Sequence, residues 1–397
     1  MKIGILTFHR SINYGAFMQS YALAKEIQRR YGDIVEVIDF EKQSKHVNYA
    51  RKQYGLRNWL IYGKEYQQMY RRFQGDLGRL PLSQPALFTN DYEKVLEYIN
   101  GKYDIVVVGS DAVWSYQRGL GLDNPYWLFG DKLKCIKMSY AASAYGLDFQ
   151  KVTQQEREFI GQRLASFDYI GVRDQETLNF VQSTGIAQNV HLNCDPTVML
   201  EQPDPEEARR LLHDRFRIDG KKQLVSVMFG ASQSCLEQLM NRLKRRGFQP
   251  VLLYHHLHWA DRFNPWAPKI LTDLSPYEWY VLYRAYYLNL TTYFHGTALA
   301  LRSGVPTIAF DNTKFGYEYK GKVTQLMTDL GLGDFCIGSQ LGEAERMARA
   351  MHCLERILEE HDDISQKINA NMEMEKKKSD SFFQCLESYL GKGVAIQ

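Results

Sequence analysis

Apolar residues in this chain come in short continuous runs, each closing on a polar corner and followed by a stretch with helical spacing. A run of four to six apolar residues without alternation predicts a strand buried on both faces. Helices between such runs predict crossover connections and a parallel sheet. The first run, Ile3 to Thr7, leads through a polar loop to a helix with Phe17, Tyr21, Ala24 and Ile27 on one face, then to a strand over Ile34–Asp39. Further strands are predicted at Asp104–Gly109, Cys135–Tyr140, Phe167–Val172 and His191–Asn193.

The second half repeats the layout. A helix over Glu206–Phe216 precedes a strand at Gln223–Met228, a helix at Leu236–Arg246 and a strand at Pro250–Tyr254. A helix at Pro276–Ala285 then leads to an apolar run at Tyr287–Leu290, a small-residue helix at Thr297–Arg302 and a strand at Thr307–Phe310. From about Glu343 to Leu390 the spacing is helical, with one stripe of Met347, Met351, Leu354 and Leu358 and another of Phe382, Leu386 and Tyr389. Lys42–Asp76, rich in Tyr, Arg, Lys and Gln, reads as a helical excursion, either a cover over substrate or a solvated helix pair.

At 397 residues the chain is longer than one hydrophobic core usually serves, so two lobes are expected. The acidic, proline-bearing stretch at 201–207 (EQPDPEE) is the best linker. The resulting division is 1–203, 204–342 and a helical tail, 343–397, crossing back over the lobes. The fold class is α/β, with two Rossmann-like lobes whose parallel sheets face a cleft. A balance of 49 basic and 46 acidic residues is too even to imply nucleic acid. No apolar stretch approaches the ~18–20 residues of a membrane span, and the amino terminus runs directly into a fold pattern without a signal peptide. Six scattered cysteines with no CxxC pair point to a reducing cytoplasm, and neither a metal nor a cofactor is expected. His255-His256-Leu257-His258 fits no structural zinc spacing.

Chemistry is expected at strand carboxyl ends, where open α/β sheets bind ligands. His295 stands where a strand stops and a helix begins, a place with free backbone N–H groups and positive dipole character. A hydrogen-bonded cap is the plainer reading of such a histidine. Ser110, Asp111 and Trp114 follow the DIVVVG strand, offering a hydroxyl, a carboxylate and an indole; the alternative is an Asp cap over a buried Trp. Arg173 ends another strand as an anion ligand or as a partner of Asp174 or Asp111. Asn13 and Gly15 lie in the first loop, where a ligand can approach the backbone.

GSDAVW (109–114), SYAASAYG (139–146), GVRD (171–174), DPTVML (195–200), FHGTALALRSGVPTIAF (294–310) and NYGAFMQSYAL (13–23) together resemble the polysaccharide pyruvyl transferase family. The resemblance spans roughly Lys2 to Val323. It implies a GT-B-like fold, phosphoenolpyruvate as co-substrate and a pyruvyl ketal formed on a sugar of a surface glycan or its precursor. It makes the first lobe the acceptor side, with Asn13, Ser110 and Trp114, and the second the donor side. His295 and Asp111 become candidate acid and base, and Arg173, Gly296 and Thr297 candidate anion ligands. The expected partners are a small-molecule donor and a glycan or lipid-linked glycan acceptor, which allows peripheral membrane association at the inner face.

This chain departs from the family pattern two residues before the histidine, where Tyr293 replaces an arginine. A phenol cannot grip an anion bidentately. Arg173, Arg302 or a lysine from Lys314 to Lys322 must then substitute, or the donor differs. The alternatives are a GT-B glycosyltransferase using a nucleotide sugar, with Trp259 and Trp266 near its base, and a catalytically silent glycan-binding relative.

Overall fold

A computed structural model describes residues 1–43, 49–118, 120–130, 133–186, 189–229, 233–253, 269–271, 273–311 and 321–392. The histidines at 255, 256 and 258, Trp259, Trp266 and most of the Lys314–Lys322 loop lie outside them. The apolar runs form two six-stranded sheets in which every pairing is parallel. The first holds β1 (Ile3–Leu6), β2 (Val35–Val37), β3 (Ile105–Val108), β4 (Ile136–Ala142), β5 (Tyr169–Val172) and β6 (Val190–Leu192), in the order β2-β1-β3-β4-β5-β6. The second holds β7 (Leu224–Met228), β8 (Gln249–Leu253), β9 (Lys269–Leu271), β10 (Tyr286–Thr291), β11 (Thr307–Phe310) and β12 (Cys336–Ile337), in the order β9-β8-β7-β10-β11-β12. β1, β3, β5, β7 and β11 are buried along their whole length, as uninterrupted apolar runs require.

Each order reverses once, between β1 and β3 in the first sheet and between β7 and β10 in the second. At a reversal the two flanking connections run to opposite faces and leave a crevice beyond the strand ends. Both sheets therefore carry one geometrically favoured ligand position, set by topology before any side chain is considered.

The chain forms two compact units, Met1–Tyr49 with Leu77–Met199 and Lys376–Gln397, and Ala50–Asp76 with Leu200–Glu375. The acidic 201–207 stretch, read as linker, is also a helix start: Asp204 caps the helix Pro205–Phe216, whose first residue is proline. The tail does not behave as one segment. Its helices Glu343–Glu359 and His361–Lys376 join the second unit and Asp380–Lys392 the first. The buried stripe of Glu343–Glu359 is Ala350, Cys353, Leu354 and Ile357, one step round from the predicted one, because Met347, Met351 and Leu358 flank it half-buried. The excursion is a single helix, Tyr49–Leu77, with Tyr62, Tyr66, Met69 and Phe73 buried at spacings of four, three and four. Such a stripe marks a packed helix and overturns the solvated-pair reading.

Phe382, Phe383 and Leu386 anchor the last helix in the first unit, with Phe382 edge-on to Tyr140 at 4.8 Å and to Tyr169 at 5.6 Å. Beside them the Ser379 hydroxyl lies 2.7 Å from the Tyr140 hydroxyl and 2.9 Å from Cys194 Sγ. Emptying this site by Phe382→Ala is expected to destabilise the first unit by ~3–5 kcal/mol, read as a lower urea midpoint.

Candidate functional site

In the second unit β10 ends at Thr291, beside β7 at the reversal, and the chain turns through Thr292 and Tyr293 into the helix Phe294–Arg302. Asn289, fully buried on β10, braces that turn. Its amide donates to the Gly296 carbonyl at 3.1 Å and to Thr307 Oγ1 at 3.4 Å, while its oxygen accepts from Ser226 at 2.7 Å. Gly296 is required by space, since a Cβ there would stand 2.7 Å from Thr291 Oγ1. His295 is the second residue of the helix, half-buried and edge-on to Phe294 at 5.2 Å. The helix begins at Phe294, so the N–H groups of Phe294, His295 and Gly296 lie in its first turn, at the positive end of its dipole.

Thr297 does not belong with them. Its N–H and its hydroxyl both donate to the Tyr293 carbonyl, at 2.9 and 3.0 Å, so it closes the first helical turn instead of presenting a donor. Tyr293 is half-buried, and burial raises its phenol pKa, leaving a neutral hydroxyl where the family pattern has a cation. Arg302 is not the replacement. At the helix's carboxyl end it donates to the Leu200 carbonyl and pairs with Glu373 at 3.1 Å, a clamp on the dipole's negative end. Lys322, the described member of the Lys314–Lys322 group, places its Nζ 5.3 Å from the Phe294 ring centre and brings a cation to this corner.

In the first unit the chain leaves β3 through Gly109, at φ 109°, and Asp111, at φ 79°. A side chain at Gly109 would meet the Tyr140 carbonyl at 2.4 Å. Left-handed backbone at a non-glycine residue costs about 1–3 kcal/mol and persists where the surroundings enforce it. Here they do: the Asp111 carbonyl accepts from Ser143 at 2.9 Å and Val113 at 2.8 Å, and its carboxylate accepts the Ala112 N–H at 2.8 Å. The Ser110 carbonyl accepts from Thr7 at 3.0 Å, tying the ends of β1 and β3 together at the reversal. The Ser110 hydroxyl is buried, with no hydrogen-bond partner among the described residues.

Two residues expected on the acceptor side are structural. Trp114 is fully buried, stacked on Trp127 at 5.5 Å, with its indole donating to the Tyr126 carbonyl, so no acceptor reaches it. The Asn13 side-chain oxygen accepts from Gly15 and Ala16 and caps the helix Tyr14–Tyr31. Arg173 pairs with neither Asp174 nor Asp111. Its partner is Asp195, at 3.3 Å, which also accepts from Gln19 and from the N–H and hydroxyl of Thr197 at 3.0 and 2.6 Å. Three of the recognised motifs thus meet in one buried network. Asp174 caps the helix Gln175–Ser183 and accepts from Ser143.

The cluster His9, Arg10 and Asp39 was absent from the sequence reading. Arg10 donates twice to the Asp39 carboxylate, at 2.5 and 2.7 Å, and His9 Nε2 lies 2.9 Å from it. Burial pushes the carboxyl pKa up, but the bonds from Arg10 and His9 outweigh that and hold it at about 2. The signal available was a charged residue at the end of each adjacent strand, FHR after β1 and DFE after β2. Among the described residues no group of three or more His, Cys, Asp or Glu is placed to hold a metal, and no helix is long and apolar enough to cross a membrane.

A family model for polysaccharide pyruvyl transferase matches residues 13–314, about three quarters of the chain. The chain belongs to the polysaccharide pyruvyl transferase family. No curated protein matches it. Among solved structures, the HepE protein (Alr3699) of Anabaena in complex with UDP is 12% identical and has a TM-score of 0.55, covering 99% of this chain and 100% of its own. The UDP-GlcNAc 2-epimerase of Neisseria meningitidis bound to UDP-GlcNAc is 11% identical, TM-score 0.55, covering 98% and 100%. At such identities the likeness carries the fold, which is that of the GT-B enzymes, and the motifs that identify the transferase family sit at its strand ends.

Two outcomes follow from the buried polar braces. Asn289→Ala removes the buried bonds to the Gly296 carbonyl and from the Ser226 hydroxyl, at about 1 kcal/mol for each bond lost, visible as a lower urea midpoint. Asp39, with a folded pKa near 2 against about 4 when unfolded, contributes stability that is present above pH 4 and lost as pH falls through 2. Asp39→Asn should flatten that part of the acid-unfolding curve.

Proposed function

We propose that this family member transfers a pyruvyl group from phosphoenolpyruvate to a sugar of a surface glycan or its precursor, forming a ketal. The observation that carries the reading is His295 in the first turn of a helix that begins at the reversal of the second sheet. Ketal formation needs a proton delivered to the methylene carbon of the enol, stabilisation of the cationic carbon beside it, and donors for carboxylate and phosphate. His295 suits proton delivery, and the N–H groups of the first turn, with Lys322, suit the anion. A first sugar hydroxyl adds to the cationic carbon; phosphate then leaves and a second hydroxyl closes the ketal. Asp111, held in its strained turn in the first unit, is the candidate acceptor of a hydroxyl proton. A lipid-linked precursor at the inner face of the membrane is an acceptor consistent with this chemistry.

The fold likeness favours a second reading, in which the same corner holds the diphosphate of a nucleotide sugar. The HepE and epimerase structures, similar in fold, carry UDP and UDP-GlcNAc.

A thermal-shift comparison separates the two. Phosphoenolpyruvate at millimolar concentration should raise the melting temperature by linkage, whereas a shift from UDP-sugars alone overturns the first reading. In a phosphate-release assay with phosphoenolpyruvate and a glycan acceptor panel, His295→Ala is expected to lose roughly 10²–10⁴-fold in rate with an unchanged melting temperature. Undiminished release removes His295 from the chemistry.

A further inference from the structure

The loop after β1 turns His9 inward onto Asp39 and leaves Phe8, Arg10 and Ser11 on the rim of a small pocket in the first unit. Phe40, Glu41 and Lys42, directly after Asp39, form its other side, and Tyr92, Leu120 and Tyr126 complete it. Four of its walls are aromatic and mutually packed: Phe8 stands edge-on to Tyr126 at 5.0 Å, and Phe40 contacts Tyr92 and Tyr126, each at 6.4 Å. This rigid aromatic ring is set at a strand carboxyl end, beside the sheet's reversal.

The polar rim is balanced in charge. Arg10 spends its positive charge on Asp39, which the contact keeps ionised, and stacks over Phe88 at 4.9 Å. Lys42, 5.7 Å from the Tyr92 ring centre, and Glu41 add one charge of each sign. A phosphate or carboxylate gains no net attraction here. A group carrying several hydroxyls does, because each hydroxyl both donates and accepts, and Glu41 accepts where Lys42, Ser11 and Arg10 donate. Aromatic faces cover the apolar C–H face of such a ring.

The pocket also adjoins the Ser110–Asp111 turn. Thr7, at the start of the same loop, bonds the Ser110 carbonyl, and the Tyr126 carbonyl accepts from the Trp114 indole. Burial, then the nearby groups Tyr92, Glu41 and Asp111, push the Tyr126 phenol up.

We infer that this pocket binds a neutral hexose unit of the acceptor glycan, packed on the half-buried rings of Phe8 and Tyr92, which the buried Phe40 and Tyr126 hold in place, and hydrogen-bonded by Glu41 and Lys42. The assignment rests on the glycan-modifying reading given above but makes its own demand, that sugar binds the first unit without donor. Its test is saturation-transfer NMR with methyl β-glucoside, methyl β-galactoside and N-acetylglucosamine, and inorganic phosphate as an anionic competitor. The expected result is saturation of at least one hexose, undisturbed by phosphate, with affinity reduced roughly tenfold in Tyr92→Ala and also reduced in the near-isosteric Glu41→Gln. Both variants should keep the wild-type response to phosphoenolpyruvate in a thermal-shift assay, which separates a lost pocket from a lost fold. Hexose binding that is absent, as tight in both variants as in the wild type, or displaced by phosphate overturns the assignment. Hexose binding that depends on Tyr92 and Glu41 in a protein indifferent to phosphoenolpyruvate supports the pocket and sinks the donor reading alone.

Discussion

A parallel strand buried on both faces has no solvent-facing side on which to carry chemistry, so polar function is pushed to its carboxyl end. In this protein that constraint acts twice. Each sheet is built of apolar runs such as Ile105–Val108 and Leu224–Met228, and each places its polar residues in the turns beyond. The single reversal of strand order then selects one turn per sheet, Ser110–Asp111 in the first unit and Tyr293–His295 in the second.

Those turns are held from beneath by buried polar side chains. Asn289 ties the helix bearing His295 to its own sheet through Gly296, and Gly296 permits an approach that any Cβ would block. Asp195 joins Arg173, Gln19 and Thr197, and Asp39 joins Arg10 and His9. Each network keeps a buried carboxylate or amide satisfied, and so fixes where the neighbouring turn stands. Several residues that look like ligands by type, Arg173 and Arg302 among them, are partly or wholly occupied by this bracing. This chain's departure from the family pattern at Tyr293 is sharper for it. With Arg302 clamped to Leu200 and Glu373, the described cation brought to that corner is Lys322.

The strands were legible because burial on both faces demands an unbroken apolar run, and no other local pattern competes with IVVV or TIAF. Helix faces were less so. Met347 and Met351 entered a predicted stripe that the structure centres on Ala350 and Cys353, since half-buried methionine covers the edge of a core as readily as its middle. Side-chain partners were not legible where they lie far apart in sequence. Arg173 was given Asp174 or Asp111, and it pairs with Asp195, 22 residues on. Trp114 looked like an acceptor contact because its neighbours are polar, but its ring turns inward onto Trp127.

By itself the sequence determined two α/β halves, the parallel character of their sheets, the family and the turn on which His295 stands, all consequences of local runs and of motifs a few residues long. Tertiary structure alone decided which strands are neighbours, and hence where the order reverses. It also decided that Arg302 and Trp114 serve the fold, that the tail divides between the units, and that Phe8, Phe40, Tyr92 and Tyr126 share one pocket. These depend on contacts between segments tens to hundreds of residues apart, and no local pattern carries the register of such contacts.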